Sequence, residues 1–92
     1  MDLATFKADL ERDGFTDIDT RSIEPNLFNA VHSHPFHVRA QMLEGELVLR
    51  WEGKQKTYRA GNIFTMATGC ERTEWYGPEG AKFMVGRRPP TT

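Results

Sequence analysis

Residues 32–46 read HSHPFHVRAQMLEGE, and this stretch decides how the rest of the chain is interpreted. It holds all three histidines of the protein, His32, His34 and His37. Side chains two residues apart on an extended segment point to the same face, so His32 and His34 can share one cation. A β-rich run, residues 38–45, follows directly. The stretch therefore predicts a binding or reaction site beside a strand.

Length and composition describe an ordinary small globular domain. The chain has 92 residues, of which 38% are hydrophobic and 27% charged. A chain of this length forms one domain and buries only about 60 to 65% of the surface that its unfolded form exposes. A second subunit would add to this small core, and we expect a homodimer. The net charge of −1 offers no attraction to nucleic acid.

The cysteine content and the N-terminus bear on location. A single cysteine, Cys70, excludes an internal disulfide and is typical of a reducing compartment. The first residues lack the basic and apolar regions of a signal peptide, and no apolar run approaches the roughly 18 residues of a membrane helix. We expect a cytoplasmic protein with a small-molecule ligand and with neither a nucleic-acid nor a membrane partner.

The N-terminal segment is predicted to be the one helix of the chain. Asp2 is a plausible N-cap, Leu3, Phe6 and Leu10 form an apolar stripe, and Gly14 supplies a stop. The predicted organisation is a helix in residues 1–15 packed on a β-barrel in residues 16–88, with a loose tail in residues 89–92.

After residue 15 the pattern changes to short alternating runs separated by turn residues, which is typical of antiparallel strands. One predicted hairpin covers residues 46–58 and reverses at Glu52-Gly53-Lys54. A second covers residues 73–85 and reverses at Gly77-Pro78-Glu79-Gly80. The predicted fold class is all-β, a small barrel or sandwich closed around one core.

With the strands placed, the chain resembles the cupin superfamily from about residue 25 to residue 88. The first cupin motif has an opening glycine, a His-x-His pair, a glutamate and a closing glycine. His32, His34 and Gly45 match it. Val38 stands where the glutamate is expected, and Asn26 stands where the opening glycine is expected.

The second cupin motif is also matched in part. Gly61 and Gly69 fit its glycines, while Ala67 occupies the proline position, Arg72 the histidine position and Tyr76 the asparagine position. The match is closer to a group of small single-domain, RmlC-like cupins, through HSHPFHVRA at residues 32–40 and GPEGAKFMVGRR at residues 77–88.

The resemblance implies a small cupin-type antiparallel β-barrel, jelly-roll-like, with one N-terminal α-helix. In cupins the two motifs line one mouth of the barrel, so His32, His34 and Arg72 are implied to converge there. A guanidinium has no lone pair and stays protonated, so Arg72 cannot ligate a cation. A metal site would need a substitute ligand, and His37 is the first candidate.

Residues 70, 72 and 74 would share a face if they point inward together, which makes Glu74 and Cys70 further candidate ligands. A three-histidine site would suit Zn, Ni, Fe or Cu by ligand type. In that case metal-dependent catalysis is conceivable.

Two other interpretations need no metal. In the first, the pocket binds a small anion, and Arg72 forms a bidentate pair with a carboxylate or phosphate while the histidines add donors. In the second, Arg72 pairs with Glu74 or Glu71, and the domain is a dimeric interaction module without catalysis. All three remain open on the sequence alone.

Overall fold

The computed structural model describes residues 2–32 and 35–89, and for residues 30–32 it describes the backbone alone. It contains one helix and six strands, and every strand pair is antiparallel. These are α1 (Leu3–Arg12), β1 (Thr16–Ile23), β2 (Phe28–His32), β3 (His37–Trp51), β4 (Lys54–Arg59), β5 (Ile63–Met66) and β6 (Arg72–Arg88). The prediction of an all-β fold with one N-terminal helix is confirmed. In the described ranges, no helix is long and apolar enough to cross a lipid bilayer.

Two long strands, β3 and β6, organise the whole fold. They pair along their full length, but the register shifts near the middle of β3, around Gly45. The first half of β3 also pairs with β5, and the second half with β4. The last half of β6 pairs with β1, and its first half with β2. The half-strands therefore build two four-stranded layers, and one core fills the space between them.

The predicted second hairpin is wrong. Gly77-Pro78-Glu79-Gly80 is not a reversal, because β6 continues through it from Arg72 to Arg88. Gly45 pairs with Ala81 and Leu47 with Tyr76, so the extra residues of β6 form a wide bulge opposite β3. A bulge bends a strand and increases its twist. Here it marks the corner at which both long strands pass from one layer to the other.

A close backbone contact at this corner depends on Gly45. Its φ is +74°, and a Cβ added there would lie 2.0 Å from the carbonyl oxygen of Gly80. Asn26, at the other motif position where a glycine was expected, also has a left-handed φ of +61°. Asparagine tolerates that region better than other non-glycine residues. The departure at Asn26 therefore keeps the backbone shape.

The first predicted hairpin is confirmed. β3 and β4 pair from Glu46 with Arg59 to Trp51 with Lys54, and they reverse at Glu52-Gly53. The alternating residues Leu47 and Leu49 are fully buried, as the period-2 pattern predicts.

The helix α1 covers the outer face of the first layer. Asp2 caps it by accepting a hydrogen bond from the Thr5 amide at 2.9 Å. Phe6 and Leu10 are buried against Phe15 in a small cluster separate from the main core, to which Met84 of β6 contributes from the outer side. The amphipathic stripe predicted from the sequence thus finds its partner on the sheet.

Asp13 ties the end of α1 to the sheet, and this contact predicts a pH effect. Its carboxylate accepts a hydrogen bond from Arg39 at 2.6 Å, which, with Arg12, holds the pKa of Asp13 below its usual 3.8. The stabilisation is present above the unfolded-state pKa and is lost as the pH falls through the folded-state pKa. In the wild type, the urea concentration at the unfolding midpoint should fall as the pH is lowered from about 5 to about 2. Asp13→Asn and Arg39→Gln are each expected to make this fall smaller. An unchanged decline in both variants would show that this contact contributes nothing to acid stability.

Candidate functional site

A cavity of about 300 Å³ lies at one end of the core, between the two layers. Its wall is part polar and part apolar, and the apolar part includes three aromatic rings, Phe36, Phe64 and Phe83, with Val38 and Val85 beside them. The Phe64 and Phe83 rings meet edge to face, with centroids 6.3 Å apart. Ligand sites are typically concave, largely apolar and supplied with a few placed polar groups, in volumes of about 300 to 1,000 Å³. This cavity lies at the small end of that range.

Two members of a buried polar network, Asn29 and Glu74, line the cavity, whereas the third, Arg72, does not. Glu74 accepts a hydrogen bond from the Asn29 side-chain amide at 3.0 Å. The other carboxylate oxygen of Glu74 accepts from Nε of Arg72 at 3.2 Å. The Arg72 and Glu74 side chains are only 3% and 9% exposed. The two charges therefore compensate each other inside the protein, which a buried carboxylate requires.

Tyr76, the next inward residue of β6, also lines the cavity. Burial raises the pKa of its hydroxyl far above the usual value of 10, and the neighbouring Glu74 carboxylate raises it further. The hydroxyl is therefore protonated at every working pH and can donate a hydrogen bond. Its ring stacks on Phe83, with a centroid distance of 6.2 Å.

Two exposed arginines lie at the rim of the cavity. Arg21 comes from β1 and Arg87 from the end of β6. The Arg87 guanidinium lies over the Phe36 ring, 5.0 Å from its centroid. Neither arginine forms an ion pair with a carboxylate in the described ranges, although Asp17 and Asp19 share an outer groove with them. Since Arg72 balances Glu74, Arg21 and Arg87 supply the excess positive charge among the residues that line the cavity.

The structure brings together some of the residues that the sequence singled out. Arg72 and Glu74 point inward, as the alternation 70, 72, 74 predicts, and Arg72 pairs with Glu74 rather than with Glu71. The backbone of His32 is the register partner of Arg72. The His32 side chain and the whole of His34 lie outside the described part of the chain.

His37 does not join this pocket. Its neighbours on both sides, Phe36 and Val38, line the cavity, so strand alternation places His37 on the opposite face of β3. There its Nδ1 accepts a hydrogen bond from the Thr68 amide at 3.1 Å. Its role as a substitute metal ligand stays a prediction, but it has no support from its position.

A metal centre does not fit the described residues at this mouth. At the two changed motif positions, Val38 has no donor atom and Arg72 has no lone pair. No three His, Cys, Asp or Glu side chains gather within the described residues, and the half-buried Cys70 packs against the core with its thiol 3.9 Å from the Glu71 carbonyl oxygen. Metal binding by His32 and His34 remains a prediction.

Sequence reasoning missed the rim arginines. Arg87, exposed near the end of β6, extends the inward series Ala81, Phe83 and Val85 by one step. That series was the available signal. Arg21 carried no comparable signal, because β1 is exposed along most of its length and shows no clear alternation.

Two antiparallel layers that share two long strands and enclose a pocket at one end define the class of this protein. It has the double-stranded β-helix fold that solved cupin structures also have, and the predicted fold is confirmed. No protein-family model and no curated protein matches the chain.

Several solved structures are similar to this chain in fold. A protein of unknown function from Rhizobium leguminosarum bv. viciae matches with a TM-score of 0.68 at 20% identity, over 98% of this chain and 97% of that one. An RmlC-like cupin from Shewanella frigidimarina matches with a TM-score of 0.67 at 19% identity, over 79% of this chain and 65% of its own. A predicted oxalate decarboxylase from Thermotoga maritima matches with a TM-score of 0.66 at 16% identity, over 89% and 73%. The present chain thus spans just under two thirds of the Shewanella protein, and these identities establish the fold alone.

Proposed function

We propose that the protein binds a small organic acid in the cavity between its two layers. The observation that carries the proposal is the pair of rim arginines, Arg21 and Arg87, at the mouth of a cavity whose apolar part is aromatic and branched. Arginine forms bidentate, charge-assisted hydrogen bonds with carboxylates. The ligand's carboxylate would lie at the rim and its apolar body against the aromatic wall.

The charges on Glu74 and Arg72 favour an anionic ligand over a cationic one. A cationic ligand would need a free carboxylate inside the cavity, but Glu74 is already neutralised by Arg72 and accepts a second hydrogen bond from Asn29. Arg72 thereby supports the acid site by cancelling the one negative charge that faces the ligand. The protonated Tyr76 hydroxyl supplies a donor for an uncharged oxygen of the ligand. The proposed activity is binding, without a catalytic step.

The volume of the cavity and its aromatic wall limit the size and shape of the ligand. A cavity of about 300 Å³ suits a compact molecule, and its rings suit a flat or branched apolar body. We expect aromatic or branched monocarboxylates to bind more tightly than acetate.

The test is thermal unfolding of the protein with acetate, hexanoate, benzoate and phenylacetate, each beside its neutral amide. A ligand at one hundred times its dissociation constant stabilises the folded state by about 2.7 kcal/mol, which shifts the melting temperature of a domain of this size by about 10 to 20 °C. We expect a shift with at least one of the larger acids and none with its amide.

Substitution of the rim arginines tests whether they bind the acid. Arg21→Gln and Arg87→Gln are each expected to weaken binding by about tenfold or more, because a hydrogen bond to a charged group contributes about 1.5 to 3 kcal/mol. Arg12→Gln, on the exposed face of α1, is the matched control and should bind like the wild type. Equal shifts for acid and amide, or full binding by the Arg21→Gln/Arg87→Gln double variant, would overturn the proposal.

Elemental analysis of protein purified without chelator tests the metal alternative separately. Near-stoichiometric Zn, Ni, Fe or Cu that disappears in a His32→Ala/His34→Ala variant would establish a metal centre at the histidines. Absence of metal, together with acid binding that chelator leaves unchanged, would leave the rim arginines as the binding groups.

A further inference from the structure

An open groove of about 490 Å³ continues the cavity outward past its rim. The cavity and the groove share three residues, Arg21, Val85 and Arg87, so the two spaces meet at the mouth. The groove adds two carboxylates from β1, those of Asp17 and Asp19. A ligand that binds the rim arginines therefore lies beside these carboxylates as well.

The pairing of β1 with β6 directs Asp19 toward the mouth. Asp19 is the register partner of Val85. Two positions further along β1, Arg21 is the register partner of Phe83. Directly opposite residues of two antiparallel strands have their side chains on the same face of the sheet. Both partners on β6 line the cavity, so Asp19 and Arg21 lie on the cavity side of β1.

The charges of the groove do not pair with each other. Within residues 2–32 and 35–89, neither the rim arginines nor Asp17 and Asp19 form an ion pair. Oδ1 of Asp19 accepts a hydrogen bond from the Thr20 amide at 2.8 Å. The groove thus presents two positive and two negative side chains, whose charges sum to zero. A simple anion is attracted by the first pair and repelled by the second, whereas a zwitterion matches both.

We propose that the ligand is an apolar α-amino acid, an inference that rests on the proposed function and narrows its organic acid to one class. The carboxylate of the amino acid pairs with the rim arginines, and its ammonium group pairs with Asp17 and Asp19. Its side chain enters the cavity. These three groups branch from one carbon atom, so their three binding regions must meet at one point. The residues shared by the cavity and the groove form that point.

The charged groups of the amino acid stay at the mouth in this arrangement. Asp17, Asp19 and both rim arginines are exposed, so the ammonium and carboxylate groups remain in contact with water. The opposite orientation would carry both charges into the cavity, where Glu74 is already neutralised by Arg72. Burial of an unpaired charge is costly. The side chain of the ligand therefore faces the aromatic wall.

Three separate contacts around one carbon atom distinguish its mirror images. In the wrong enantiomer, the side chain and the carboxylate can keep their places only if the ammonium group points away from Asp17 and Asp19. Loss of a hydrogen bond between charged groups weakens binding about tenfold or more. One enantiomer of phenylalanine is therefore expected to bind about tenfold or more tightly than the other. A site for a plain organic acid has no such preference.

The experiment is isothermal titration calorimetry at pH 7 with L-phenylalanine, D-phenylalanine, 3-phenylpropanoate and L-phenylalaninamide. 3-Phenylpropanoate lacks only the ammonium group, and the amide lacks only the carboxylate. The preferred enantiomer of phenylalanine is expected to bind about tenfold or more tightly than 3-phenylpropanoate. The amide is expected to bind no more tightly than 3-phenylpropanoate, because it does not pair with the rim arginines.

Asp17→Asn/Asp19→Asn tests the carboxylates directly, with circular dichroism to verify folding. Asparagine keeps an oxygen that can accept from the Thr20 amide, and it tolerates the left-handed φ of +52° at Asp17. The double variant is expected to bind phenylalanine about tenfold or more weakly. It should bind 3-phenylpropanoate as tightly as the wild type or more tightly, because two negative charges beside the rim are gone. Glu11→Gln, an exposed residue of α1, is the matched control and should change neither affinity.

The outcomes separate this inference from the proposed function. If 3-phenylpropanoate binds but the two enantiomers bind equally, or neither binds more tightly than 3-phenylpropanoate, the inference is overturned and the acid site stands. A folded double variant that binds phenylalanine like the wild type, or a loss that Glu11→Gln reproduces, overturns the inference in the same way. If the wild type binds none of the four compounds, both proposals are overturned.

Discussion

Gly45→Ala is expected to lower the free energy of unfolding by at least about 3 kcal/mol. The added methyl group would lie 2.0 Å from the carbonyl oxygen of Gly80 and 3.0 Å from the Cα of Ala81. These are backbone atoms, so no side chain can move aside to make room. A left-handed φ of +74° adds conformational strain for any residue with a Cβ. Because this contact lies where both long strands change layer, relief of the clash would have to separate the layers.

Gly53→Ala is the matched control for this prediction. Gly53 has nearly the same φ, +75°, but a Cβ there meets nothing within 4 Å. Its substitution should cost only the conformational strain, about 1 to 2 kcal/mol. Urea unfolding followed by the fluorescence of Trp51 and Trp75 measures both variants. Equal losses for the two variants would show that the close approach to Gly80 does not contribute to stability.

Glu74→Leu is expected to be about as harmful, with a loss of about 3 to 5 kcal/mol. The substitution leaves the Arg72 guanidinium inside the protein without its carboxylate. Arg72 is already incompletely bonded, because its buried Nη1 has no hydrogen-bond partner among the described residues. A buried cation without a counter-ion is among the most costly single defects in a small domain.

Two further variants separate charge from packing. Arg72→Met/Glu74→Leu replaces both charges by apolar groups of similar size and should recover most of the stability lost in Glu74→Leu. Arg59→Met breaks the exposed pair with Glu46, in which the arginine side chain is 69% exposed, and should cost no more than about 1 kcal/mol. If the double substitution were as unstable as Glu74→Leu, the loss would come from packing and not from the unpaired charge.

Local patterns predicted the elements of this fold better than their connections. The stripe of Phe6 and Leu10 marked the helix, and the alternation at Leu47 and Leu49 marked a strand with one buried face. The error at Gly77-Pro78-Glu79-Gly80 came from a signal that is equally local. Two glycines around a proline favour a turn, but the backbone there pairs with distant β3, and that pairing decides its path.

The candidate site was predictable where it follows a strand pattern and unpredictable elsewhere. Inward alternation located Arg72 and Glu74 beside each other, and the spacing of the cupin motifs placed Val38 on the cavity wall. His37 differs from Val38 by one position, which in a strand is enough to change faces. Arg21 reaches the rim only because β1 pairs with the far end of β6, a long-range pairing that no local pattern reports.

Strand β6 is the pairing partner of β1, β2 and β3, and it is the last of the six strands to be synthesised. Thr16 bonds to Arg87 across 71 positions of the chain, so β1 leaves the ribosome long before its partner exists. At about 5 to 20 residues per second, several seconds pass in which β1 and β2 have no ladder to join. Only β4 and β5 can pair with β3 during that time. The ladders that complete both layers therefore cannot form until the sixth strand emerges.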